Sequence, residues 1–119
     1  MISPHPIITK GTHIILDIKN IENNEILKFK NSTIEILDKI VKEFDLNVVD
    51  KAIHQFEPFG VTGVYVLSES HLSIHTFVEE QKVSMDLYTC KTFEQSDNLI
   101  KFIELLFHPC ICDYKIIDR

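Results

Sequence analysis

The stretch VTGVYVLSESHLSIHTFVEEQKVSMDLYTC, residues 61–90, decides how this chain folds. Three apolar, β-branched or alternating runs lie inside it: VTGVYVLSES, HLSIHTF and KVSMDLYTC. Each reads as a strand, with a break or bend near Glu69–His71 separating the first two. The joints between these runs are far too short for parallel crossovers, so neighbouring strands must run antiparallel.

Working outward, NVVDKAIHQFE (residues 47–57) reads as a preceding strand, broken by Pro58-Phe59-Gly60. THIILDI (residues 12–18) is a β-branched strand, and IENNEILKFKN after it reads as a polar connection. Ser32 precedes Glu35 by three residues, a capping-box pattern. With Ile34, Leu37, Ile40, Val41 and Phe44 at helical spacing, it predicts a helix over residues 33–44. Leu99, Ile100, Phe102, Ile103, Leu106 and Phe107 predict a second amphipathic helix within residues 93–107, stopped by Pro109. CICDYKII closes the chain as a strand, and MISPHPIITK opens it as an irregular arm. The order β-α-β-β-β-β-α-β predicts an α+β two-layer sandwich, a largely antiparallel sheet with two helices on one face.

The 119 residues suit one domain, and 45% hydrophobic content suits a real core. A net charge of −6 with no basic block lacks the electrostatic footprint of a nucleic-acid binder. No apolar run approaches a membrane span. Three cysteines, an odd number without a disulfide-framework pattern or signal peptide, point to a cytoplasmic chain with reduced thiols. Cys110 and Cys112 form C-x-C with no second ligand pair, which argues against structural zinc.

The chemistry gathers around LSESHLSIHT, residues 67–76. Ser70 could serve as a nucleophile, but no G-x-S-x-G elbow surrounds it; the plain alternative is a polar bend. His71 and His75 share one strand face about 13 Å apart, too far to share a metal ion. Ser70 and His75 lie about 16 Å apart on opposite faces of an extended strand. For His75 to act on Ser70, the chain must turn sharply or a second copy must supply the histidine. Alternation places Asp86, Tyr88 and Cys90 on one face of their strand, and a lone cysteine there is most simply a small buried hydrophobe. Gly60 and Gly63 suggest a turn and a close backbone approach.

Taken together, residues 59–90 resemble the signature of the short prokaryotic S-adenosylmethionine decarboxylases: a G-(S/T)-G strand, then S-E-S-H-(L/I)-(S/T)-I-H-T, then W-P-E, then D-(V/L/I)-(F/Y)-T-C. The resemblance implies a single-domain proenzyme that cuts itself between Glu69 and Ser70 into a β chain (1–69) and an α chain (70–119). Ser70 would become a pyruvoyl cofactor whose ketone takes the substrate amine as a Schiff base, an electron sink like pyridoxal phosphate. It implies that His75 and Thr62 assist processing, that Glu69 supplies the attacked carbonyl, and that Cys90 protonates the substrate α-carbon. Phe56 would stack on adenine, Glu79 would hold the ribose, and the backbones of Leu67 and Glu69 would contact adenine. It implies no metal, a homodimer of processed protomers with sites at the interface, and a role in supplying aminopropyl groups for spermidine.

Three positions depart from the pattern: Phe77-Val78 replaces W-P, Thr12 replaces a common arginine, and Gln55 replaces a common basic residue. They leave two competing expectations, the same pyruvoyl chemistry on ornithine or arginine, and a non-catalytic regulatory paralogue. His71 matches the pattern without an assignable role.

Overall fold

A computed structural model describes residues 11–119; the opening arm expected at residues 1–10 lies outside them. Strand β1 (Thr12–Lys19) is followed by a short 3-10 turn (Asn24–Leu27) and helix α1 (Lys30–Glu43). Then come β2 (Val48–Gln55), β3 (Val61–Leu67), β4 (Ser70–Phe77), β5 (Lys82–Thr89), helix α2 (Ser96–Phe107) and β6 (Ile111–Asp118). The six strands form one sheet in the order β2-β3-β4-β5-β1-β6, and every pairing among them is antiparallel. The expected α+β sandwich is therefore the observed one, with a sheet that is antiparallel throughout.

Alternation in the strands builds the core. Ile14, Leu16 and Ile18 of β1, Tyr65 and Leu67 of β3, Leu72 and Ile74 of β4, and Val83, Met85 and Leu87 of β5 are all buried on one face. The helices cover that face with the stripes their sequences encode: Ile36, Leu37 and Ile40 from α1, and Leu99, Ile100, Ile103 and Phe107 from α2. Gly63 makes room for the neighbouring strand's side chain: a Cβ there would lie 2.8 Å from Ile53 Cδ1, inside normal contact distance, whereas Leu37 Cδ1 of α1, at 3.4 Å, would be in ordinary contact. The opposite face carries polar and mixed residues and no covering element among the described residues.

Two local expectations are corrected. Helix α1 starts at Lys30, its N-cap is Phe29, and no side chain caps it locally. Ser32 and Glu35 lie inside the helix instead of framing it. The open N–H of Lys30 donates to Gln55 Oε1 at 2.7 Å, so a residue from the end of β2 satisfies a helix-end donor that the capping box would otherwise serve. Gln55 also donates to the backbone carbonyls of Lys28, Phe56 and Gly60, which accounts for an amide at that position. Helix α2 begins at Ser96, leaving Phe93 outside it, where its N–H donates to Thr12 Oγ1. Thr12, at the position where the pattern carries arginine, is buried and accepts that hydrogen bond.

Candidate active site

Strand β4 carries the site residues at its two ends. At the first end, β3 and β4 are joined by a two-residue turn, Ser68 and Glu69, closed by the pair Leu67 and Ser70. Glu69 adopts φ +60°, the left-handed region that L-residues other than asparagine, aspartate and glycine enter rarely. The Ser70 hydroxyl donates to the Ser68 carbonyl at 3.2 Å. Asn47 grips the turn from the side, its Nδ2 donating to Ser68 Oγ at 2.6 Å and its carbonyl accepting from Ser68 N at 3.0 Å.

Ser70 pairs with Thr89 across β5. Cys90 follows directly, beyond the end of the strand. The alternation that would place Cys90 with Asp86 and Tyr88 therefore stops one residue short of it, and the thiol is exposed rather than buried. Leu67, Glu69, Ser70 and Cys90 line one cleft of about 290 Å3, walled by Asp45, Asn47 and Phe93. The structure thus brings together the serine, its preceding carbonyl and the thiol.

At the other end of β4, Thr62 pairs with His75, and Thr62 Oγ1 lies 3.2 Å from His75 Nδ1. His54 pairs with Thr62 on the far side, and its ring meets Phe56 edge-on at 4.6 Å. Glu79 is exposed in the turn between β4 and β5. This group does not reach Ser70 within one chain. Ser70 shares the helix-covered face with Leu72 and Ile74, whereas His75 is on the open face, five extended residues or about 16 Å further along.

Between the ends, Asp86 forms a hub on the open face. Its Oδ2 accepts from His13 Nε2 at 2.7 Å and from His71 Nε2 at 2.9 Å, and Ser73 donates to Oδ1. A carboxylate only accepts, so both imidazoles carry a proton on Nε2. Burial works against the charged carboxylate, but the three donors outweigh it and hold its pKa below the usual carboxylate value. The sequence pointed to His71 without a partner. His13, His54 and Asn47 escaped notice, and Asp86 was placed on a strand face without its partners, because only cross-strand register brings them together. His13 and His71 both pair with Tyr88, two residues from Asp86, a relation that a known strand order would have exposed. Cys110 and Cys112 lie apart from the site, and burial first among several causes pushes the Cys112 thiol up to about 11.

A hydroxyl held in a strained turn, a thiol in the same cleft and a separate hydroxyl–imidazole pair on a rigid sheet describe an enzyme suited to covalent and proton-transfer chemistry. Comparison with known proteins narrows that class. Residues 12–119 match the family model described as S-adenosylmethionine decarboxylase. A relative named S-adenosylmethionine decarboxylase proenzyme, from Persephonella marina, is 35% identical over 111 residues, spanning 93% of this chain and 83% of its own length. The protein of the same name from Picrophilus torridus is 30% identical over 112 residues, 94% of this chain and 85% of its own. The crystal structure of the adenosylmethionine decarboxylase from Aquifex aeolicus superposes with a TM-score of 0.84 at 29% identity, covering 93% of this chain and 91% of that one. The chain belongs to the S-adenosylmethionine decarboxylase family.

Proposed function

We propose that this protein is a pyruvoyl-dependent S-adenosylmethionine decarboxylase, made as a self-processing proenzyme and working as a homodimer that feeds aminopropyl transfer to spermidine. The observation that carries this reading is the division of the signature residues into two complementary groups at opposite ends of β4.

In this reading the chain cuts between Glu69 and Ser70, and residue 70 becomes the amino-terminal pyruvoyl group of the α chain. The residues fit such a group: position 70 opens β4, lines the cleft and shares it with Cys90. Once formed, the group supplies an electron sink for the pair left behind when the substrate carboxylate departs. The chain's own side chains do the rest. Cys90 delivers a proton to the α-carbon from across the cleft. Leu67 and Glu69 offer backbone groups to the adenine. Phe56, half-exposed beside His54, stacks on the adenine and presents a π-face to the sulfonium cation. Glu79 accepts from the ribose hydroxyls. Thr62 and His75 handle proton transfer during processing.

Phe56, Thr62, His75 and Glu79 serve the cleft of a second copy. Isologous pairing through the open sheet face, where Val66 and Ile117 are exposed, creates two equivalent shared sites. Denaturing mass spectrometry is the direct test of processing: two fragments, the larger ending at Glu69 and the smaller with a blocked amino terminus, support the reading, and one intact chain contradicts it. Carbon dioxide release from labelled adenosylmethionine, compared with ornithine and arginine, tests the substrate.

A further inference from the structure

The turn that would be cut is held from both sides in a conformation its sequence does not favour. Glu69 is at φ +60° in a two-residue hairpin, where a Cβ crowds the backbone and glycine or asparagine is the usual occupant. Nothing in the Glu69 side chain offsets that cost: it is exposed and makes no side-chain hydrogen bond or ion pair among the described residues. What fixes the turn lies on either side. Before it, Asn47 bonds both the backbone N–H and the hydroxyl of Ser68. After it, His71 and Ser73 are tied to Asp86, which is itself tied to His13 on the next strand. Ser68 and His71, the residues on either side of the Glu69–Ser70 pair, are therefore anchored to different segments, the loop before β2 and strand β5, and the strain is confined between them.

We propose that this two-sided clamp stores backbone strain at Glu69, that self-cleavage releases it, and that Asn47 and Asp86 act as positioning residues for that step. The inference rests on the reading of Ser70 as the processing serine. In the step, Ser70 Oγ bonds to the Glu69 carbonyl carbon, the Glu69–Ser70 C–N bond breaks, and the hydroxyl proton ends on the freed Ser70 nitrogen. The ester route inserts the Ser70 Cβ and Oγ into the chain path. The closed two-residue turn lengthens, and Glu69 is freed from its left-handed conformation. Strain present before the shift and absent after it lowers the barrier. The clamp also gives His71 a role, that of fastening the strand one residue beyond Ser70.

Glycine and alanine at position 69 separate strain from side-chain chemistry, since both remove the carboxylate and only glycine removes the strain. With Glu69→Ala as the reference, Glu69→Gly is expected to self-cleave about tenfold more slowly, a difference of about 1.4 kcal/mol in barrier. Asn47→Ala and Asp86→Asn are expected to slow cleavage several-fold. In an uncleavable Ser70→Ala background, Glu69→Gly should melt a few degrees higher than Glu69→Ala, an effect that a merely structural turn without strain would not produce. Equal melting of that pair, or equal cleavage by Glu69→Ala and Glu69→Gly, overturns the proposal. If the unaltered chain never cleaves, the processing reading fails instead, and the melting comparison still reports on the strain.

Discussion

The two ends of β4 differ in what holds them and in what they can do alone. The Ser70 end is a tight turn gripped by Asn47, with a thiol in the same cleft. The His75 end is an exposed hydroxyl–imidazole pair beside an aromatic, on the open face and away from the cleft that Ser70 lines. In the proposed reading, one end holds the reactive serine without its proton-transfer pair, and the other holds the pair without a serine to serve. Rigid β-structure makes the separation permanent, because a strand cannot shorten 16 Å to close it. The division itself is thus an argument for two copies.

Substitutions at each end should behave differently, and the largest effect falls on Ser70. Ser70→Ala removes the hydroxyl that the proposed reading assigns to attack Glu69, so cleavage is expected to cease, leaving a single chain of full mass on a denaturing gel. His75→Ala should slow cleavage by about 10²–10⁴-fold, the range for losing a positioned acid or base. Intact folding of that variant by circular dichroism would tie the loss to chemistry. Cleavage at the unaltered rate would break the assignment. Cys90→Ala sharpens the contrast from the other side: the fragments should still form, while decarboxylation by the cut protein falls about 10²-fold, read as carbon dioxide release per cleaved chain.

The smallest effect concerns the hub between the ends. The Asp86 carboxylate titrates below its unfolded value because Ser73, His71 and His13 donate to it against the cost of burial. A depressed carboxylate stabilises the fold at pH above its unfolded value and loses that contribution as the pH falls through the lower folded value. Melting temperature should therefore decline on acidification below about pH 4, and Asp86→Asn should flatten that decline. An unchanged acid limb in the variant would remove Asp86 from the account.

Much of this was legible in the sequence because it rests on local periodicity. Alternation gave the six strands, the 3.6-residue stripes gave the two helices, and short joints forced antiparallel pairing. The separation of Ser70 from His75 followed from strand rise alone. What escaped depends on contacts between distant segments. The start of α1 is set by Gln55, 25 residues away, which no local capping pattern can foresee. The exposure of Cys90 follows from β5 ending at Thr89, a boundary that alternation does not mark. The Asp86 hub requires knowing that β1 and β4 both flank β5, which the order of segments along the chain leaves open.

Co-expression of a Ser70→Ala chain with a His75→Ala chain tests the shared site most directly. In mixed dimers the His75→Ala chain keeps its Ser70 and receives His75 from its partner. Fragments of the His75→Ala chain should therefore appear at close to the unaltered rate in mixed dimers, only at the slowed rate in its own homodimer, and not at all from the Ser70→Ala homodimer. Mixed dimers that form but leave both chains whole would contradict the division of labour along β4.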